Sequence, residues 1–209
     1  MTQEPKFSVI ENINKLGRPR DSSRDLAIIE TTLKHLTLHG YEALSTTDIA
    51  KEAGVSKATI YRRWPSKRFL VIDAFKTLPT LEIPNNGNLR DDLKDLLNQL
   101  SFVFTQTDVL PVLHILTGEM SHDELLEEEL LPWLQERYSP ARTIIERAIK
   151  RGELQENLDL ESAQSIVVGP LLTMVSYSRT TINEKVLDNL FNFIVKALVN
   201  NPKDSEQEI

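Results

Sequence analysis

The sequence predicts an all-α protein: an N-terminal three-helix helix-turn-helix domain followed by a larger helical domain. Three observations predict this. Apolar residues recur at three- and four-residue intervals along most of the chain, with no strand-length alternation and no hairpin signal. Two short helical segments near the N-terminus are joined by about three residues around Gly54, the spacing of a helix-turn-helix. Charge is divided unevenly: residues 1–78 hold 13 Lys and Arg against 9 Asp and Glu, a net +4, whereas residues 79–209 hold 11 against 22, a net −11. A basic third on an acidic remainder implies a head that meets nucleic acid and a body with another task.

The elements follow in order. Residues 1–21 read as a flexible basic arm. Ser22-Ser23 precede a stripe of Leu26, Ile29, Leu33 and Leu36, which Gly40 stops. Thr46-Thr47 open the segment DIAKEA, Ser56 opens KATIYRRW up to Pro65, and Ser66 opens a helix from Lys67 to about Leu78. The head therefore spans 22–78. The stretch TLEIPNNGN (80–88) is a connection. Asn88 caps a helix to about Gln106, and another runs from about Leu110 to Glu119. A long helix from Ser121-His122-Asp123 to Arg151-Gly152 is predicted to kink or divide at Pro132. Asp159 caps a helix to about Arg179, and Thr181 with Glu184 forms a capping box for the last one, to about Val199. The second domain is thus placed at 79–200, with a disordered tail at 201–209.

The composition excludes several classes. There is no cysteine, hence no disulfide, thiolate metal site or thiol redox chemistry, as suits a reducing cytoplasm. The N-terminal MTQEPKFSVIENINKLGRPR has no apolar signal core. The longest apolar run, IVVGPLLTMV, is too short to span a bilayer and is broken by Gly169-Pro170. The expectation is a soluble cytoplasmic protein, brought to the nucleoid by DNA and not bound to a membrane.

The stretch GVSKATIYRRWPSK (54–67) carries the chemistry. A helix that enters the major groove needs small or hydrogen-bonding residues in its first turn, an apolar side for its own core and cations at its edges. Lys57, Ala58, Tyr61 and Arg62 share one face, while Ile60 and Trp64 share the other. The Ala58 methyl suits a thymine methyl, and Lys57 and Arg62 suit base acceptors or phosphates. Thr59, Tyr61 and Arg63 suit phosphates and register, and Ser56 opens the helix. Lys67 with its own helix N-terminus, and Thr46 and Thr47 at the preceding helix start, complete the set. Ahead of the first helix, Arg18 and Arg20 in KLGRPRD suit a narrow minor groove.

The segment RDLAIIETTLKHLTLHGYEALSTTDIAKEAGVSKATIYRRWPSKRFLVIDAF resembles the DNA-binding domain of the TetR (tetracycline-repressor-like) regulators. The likeness covers about residues 22–75. It includes HGY, TTDIAKEAGVS, the T-x-Y of the recognition helix and W-P-S-K. Position 58 is Ala where that family often has Gly, and position 64 is Trp where Phe is commoner. ERAIKRGELQENLDLESA and VVGPLL resemble one branch of its C-terminal region. The resemblance implies a homodimer and a pocket for a small effector.

Residues for both can be nominated. The last two helices are apolar on more than one side, through Ile166, Val167, Leu171, Val186, Leu190, Phe193, Ile194 and Ala197, and suit a twofold interface. The alternative is ordinary intrachain core. An effector pocket would be lined from Phe102, Phe104, Leu113, His114, Leu116, Met120, Trp133, Tyr138, Met174 and Tyr177, many of which equally suit a core. His35 and His39 are four apart but have no third ligand in sequence, and Glu119-x-x-His122 is a single motif where a di-metal bundle needs two. No metal and no cofactor is expected. No nucleophile elbow, Gly-rich phosphate loop or paired carboxylate frame points to an enzyme. The expected function is sequence-specific transcription regulation: repression of a palindromic double-stranded operator, relieved by an unknown small-molecule effector. The alternatives are a DNA-binding regulator governed by a protein partner with no small ligand, and an enzyme or carrier with an incidental helix-turn-helix.

Overall fold

The computed structural model describes residues 22–178 and 180–199. The arm carrying Arg18 and Arg20, and the tail 201–209, lie outside the described residues. Among the described residues there are nine helices and no strand: α1 (Ser22–His39), α2 (Thr46–Glu52), α3 (Lys57–Arg63), α4 (Lys67–Lys76), α5 (Leu89–Gln106), α6 (Val109–Met120), α7 (Glu124–Lys150), α8 (Leu160–Ser176) and α9 (Glu184–Val199). No single one of them is long and apolar enough to cross a membrane.

The chain divides into two compact units: Met1–Pro79 with Asp108–Trp133, and Thr80–Thr107 with Leu134–Ile209. In the first, α1 packs on α2, α4 and α6, and α2 packs on α3. Its core holds Ile28, Leu36, Ile49, Ile60, Trp64, Leu70 and Phe75, all buried. In the second, α5, α8 and α9 pack against one another. Leu93, Leu96, Leu97, Leu100, Val167, Leu171 and Ile194 are buried there.

Caps explain most of the boundaries. Ser56, Asn88 and Asp159 each accept the backbone N–H three residues on, from Thr59, Asp91 and Ser162. Two starts differ from expectation. Ser45, not Thr46-Thr47, caps α2 by accepting the Asp48 N–H. At α9 the expected Thr181–Glu184 box is replaced by Asn183, whose Oδ1 accepts the Val186 N–H at 3.0 Å while Glu184 becomes the first helical residue. Asn is among the strongest N-caps, so the nearer residue wins. The third helix ends at Arg63, one residue before Trp64, which is extended (φ −118°, ψ 99°). Pro65 imposes this, because the ring of a proline disfavours helical backbone in the residue before it. The longest helix, α7, runs unbroken through Pro132 and Pro140. Leu126, Leu130 and Leu134 on either side of Pro132 are buried, and that burial offsets the missing hydrogen bond. Gly40, at φ +77°, turns the chain out of α1 in a left-handed conformation that other residues adopt only with strain.

The cap assignment is testable. Asn183→Ala should lower the unfolding free energy in urea by about 1 kcal/mol, and Thr181→Ala should change it by less than about 0.5 kcal/mol. Equal losses would restore the capping box.

Candidate nucleic-acid interface

The turn between α2 and α3 is built by local bonds. Gly54 adopts φ +67°, and the Val55 N–H reaches back to the Ala50 carbonyl at 2.9 Å. Ser56 then redirects the chain, with its Oγ 3.0 Å from Thr59 Oγ1. Below the turn, Ile49, Ala50, Ile60 and Trp64 are buried together in the first unit. Above it, Lys57, Ala58, Tyr61 and Arg62 are all exposed. Neither Lys57 nor Arg62 makes an ion pair among the described residues. The outer face of α3 thus presents a methyl, a phenol and two exposed cations next to one another.

The other nominated residues are held more firmly. Thr46 Oγ1 lies 2.9 Å from the Tyr61 hydroxyl, which joins the start of α2 to the face of α3, and Thr47 beside it is exposed. Arg63 pairs with Asp25 of α1, and its guanidinium carbon stands 5.1 Å from the centroid of the Trp64 ring. Lys67 donates to the carbonyls of Tyr41 at 2.8 Å and Glu42 at 3.4 Å, and its ammonium sits 4.3 Å from the centroid of the Tyr41 ring. An ammonium has three donors, so one remains for another acceptor. Arg18 and Arg20 lie outside the described residues.

Long-range partners were not visible in the sequence. The Trp64 indole donates to Asp73 Oδ2 of α4 at 2.9 Å. Glu52 of α2 accepts from Lys34 at 2.6 Å and stands 2.7 Å from His35 Nε2, both on α1. The Lys34 and His35 hydrogen bonds hold the Glu52 carboxyl at about 2, below its ordinary 4.5. The paired histidines are accounted for here: His35 ties two helices, and its ring stands edge-on to that of His39. Such partners have no signature in one sequence.

The nominated interface residues separate in the second unit. Val167, Leu171, Leu190 and Ile194 are buried in its own core, while Phe193 is 73% exposed and Ile166 36% exposed. Val186 and Ala197 are half-buried. The nominated pocket residues fall in both units. In the first, Leu113 and Leu116 are buried, Met120 and Trp133 half-buried, and His114 exposed. In the second, Phe104 is buried, Phe102, Tyr138 and Met174 are half-buried, and Tyr177 is exposed. Burial raises the Tyr138 phenol and lowers the adjacent Arg137 guanidinium to about 10.

Comparison with known proteins places this architecture. Residues 28–74 match the family model described as bacterial regulatory proteins of the tetR family, and residues 83–194 match that described as the tetracyclin repressor-like C-terminal domain. The chain belongs to the TetR family of bacterial transcriptional regulators. It is therefore a helix-turn-helix DNA-binding regulator and not an enzyme. Among its relatives is the uncharacterized HTH-type transcriptional regulator YdeS of Bacillus subtilis, 29% identical over 85% of this chain and 90% of that one. Another is the DNA-binding transcriptional repressor TetR of Mycobacteroides abscessus, 32% identical over 67% of this chain and 75% of that one. Among solved structures, Bacillus subtilis FadR in complex with stearoyl-CoA superposes with a TM-score of 0.60 at 19% identity, covering 85% of this chain and 99% of that one. At that identity the likeness concerns the fold.

The Glu52 tie gives a pH prediction. The folded carboxyl titrates at about 2 and the ordinary one at 4.5, so the tie contributes above the ordinary value and its contribution is lost as pH falls toward 2. The melting temperature of the parent should exceed that of Glu52→Gln at pH 6, and the two should converge by about pH 2. A constant gap across that range would mean that Glu52 acts by packing and not by charge.

Proposed function

We propose that this TetR-family chain is a homodimeric repressor that binds a pseudo-palindromic operator through α3 and leaves it when a small effector binds the second unit. The observation that carries the reading is the exposed face of α3, where Lys57, Ala58, Tyr61 and Arg62 stand together with no carboxylate among the described residues holding either cation. Lys57 and Arg62 read base edges, Ala58 admits a thymine methyl, and Thr46, Thr47, Ser56, Thr59, Tyr61 and Arg63 set the register on phosphates. The first turn of α4 offers a further phosphate place. Ser66 at its N-cap makes no side-chain cap bond, and Lys67 keeps one donor in hand. Arg18 and Arg20 extend the contact into the minor groove.

A single short helix reads too few bases, so a symmetric pair is required, with reading helices about 34–36 Å apart. Exposed Phe193 and Ile166, flanked by half-buried Val186 and Ala197, supply the apolar surface for a twofold contact of α8 and α9. The effector reading draws on the stearoyl-CoA seen on FadR and on the aromatic, partly polar set Phe102, Phe104, Tyr138, Met174 and Tyr177. Release requires that the effector bind the two states of the dimer with different affinity. The protein acts in the cytoplasm, on the nucleoid.

Selection of bound sequences from a random duplex pool at near-physiological salt tests the core of this reading. An inverted repeat should be enriched; only salt-sensitive binding without enrichment would overturn it. On the enriched duplex, Arg62→Ala should weaken binding by about 1–3 kcal/mol and relax preference at one base position per half-site. Phe193→Asp should yield monomers by sedimentation and abolish binding to the full repeat. A Phe193→Asp protein that remains dimeric would place the interface elsewhere.

A further inference from the structure

We infer that residues 5–16 form an amphipathic helix that docks, within its own chain, on an open groove of α1, and so closes residues 17–21 into a loop carrying Arg18 and Arg20. Only the consequence for DNA rests on the repressor reading above. The groove belongs to the first unit. It measures about 510 Å³ and is lined by Glu30, Leu33, Lys34, Thr37 and Leu38 of α1 and by Asp108, which precedes α6. The five α1 residues stand at i, i+3, i+4, i+7 and i+8, so they share one face of that helix. Leu38 is 64% exposed and Leu33 is half-buried, so this face offers apolar surface to solvent. Lys34 is committed to Glu52 of α2 at 2.6 Å. That leaves Glu30 and Asp108 as the carboxylates of the rim, neither of them ion-paired among the described residues.

The sequence ahead of α1 has the matching pattern. Val9, Ile10, Ile13 and Leu16 recur at i, i+1, i+4 and i+7, within an arc of about 120° on a helix, and Phe7 borders that arc. Ser8, Glu11, Asn12, Asn14 and Lys15 fall outside it. The ends carry helix signals: Pro5 suits a first turn, and Lys15, Gly17 and Pro19 suit a last turn and a stop. A helix this short is marginal in water by itself, so it needs a surface that buries its stripe. Length and reach agree. Residues 9–16 span about 10 Å as a helix, and the groove face from Glu30 to Leu38 about 12 Å. Residues 17–21 extend to at most about 18 Å, and the groove begins about 12 Å along α1 from Ser22. So short a link selects the groove of the same chain and an antiparallel return along α1. Charge agrees as well, because Lys6 and Lys15 bracket the stripe that would meet Glu30 and Asp108. Docked at one end and continuous with α1 at the other, residues 17–21 have fewer conformations to lose when Arg18 and Arg20 enter a minor groove.

The test is hydrogen exchange on the full chain, read by mass spectrometry in peptides covering residues 8–16. The variants are Ile13→Gln, Leu38→Gln and the double change. Both replacements are neutral, so neither adds a charge that could repel DNA, and Leu38 is exposed, so its change spares the core. In the parent these amides should exchange about tenfold more slowly than in an unstructured chain. Each single variant should remove that protection, and the double variant should go no further. Leu125→Gln, at another exposed leucine of the first unit, should leave it intact. On the selected inverted repeat each single variant should bind about threefold more weakly. Parent amides that exchange at the unstructured rate would overturn the docking and leave the groove to a separate partner. Protection that disappears on dilution would assign the groove to the arm of another copy, and so overturn docking within one chain. Equal loss in Leu125→Gln would place the segment elsewhere. If the parent selects no inverted repeat, the repressor reading fails, and the exchange measurement alone still decides the docking.

Discussion

The head depends on how Trp64 is held. Pro65 forces it out of helical geometry, so α3 must end at Arg63. Its backbone N–H still closes the last turn onto the Ile60 carbonyl at 2.8 Å. The ring is 2% exposed, and its one polar atom is satisfied by Asp73 of α4. A large apolar surface, a directional hydrogen bond and a fixed backbone turn thus meet in one side chain. Together they set the length of α3, the direction of its outer face and the place where α4 can begin. A smaller residue would leave a cavity beneath the reading helix and Asp73 without its donor.

Around this anchor the cations of the head divide by task. Lys34, Arg63, Lys67 and Arg68 each have an intrachain acceptor. Exposed and half-exposed ties of this kind contribute modest stability individually. Their value is geometric, because each joins a helix of the head to a segment well removed in sequence. Lys57 and Arg62 stand on the opposite account: they are exposed on α3 and keep their side-chain entropy until something binds them. Cations held by acceptors fix the frame, and the exposed pair on α3 is left available for a partner.

Local chemistry was legible in the sequence; partnership was not. The caps at Ser56, Asn88 and Asp159 could be read because the acceptor lies three residues from its donor. Ser45 and Asn183 were missed because a second competent cap stands close by, and the path of the incoming chain decides between them. Pro132 signalled a division or a kink, and the helix does not divide there. In α8 and α9 the apolar pattern is too wide to show which side faces the chain's own core. Only coordinates separate buried Val167 and Ile194 from exposed Ile166 and Phe193. Arg63 with Asp25, 38 residues apart, and Arg68 with Asp123, 55 apart, have no periodicity that could announce them.

The Thr46–Tyr61 contact has a consequence of its own. Two hydroxyls share one proton position, and either can be the donor. When Thr46 donates, the phenol proton is free to point outward; when Tyr61 donates, the threonine proton is. The pair can therefore switch which helix offers a donor to an incoming anion without moving a heavy atom. If a duplex lies against this seam as proposed above, the exchangeable donor would let the contact follow small variations in the path of the phosphate backbone.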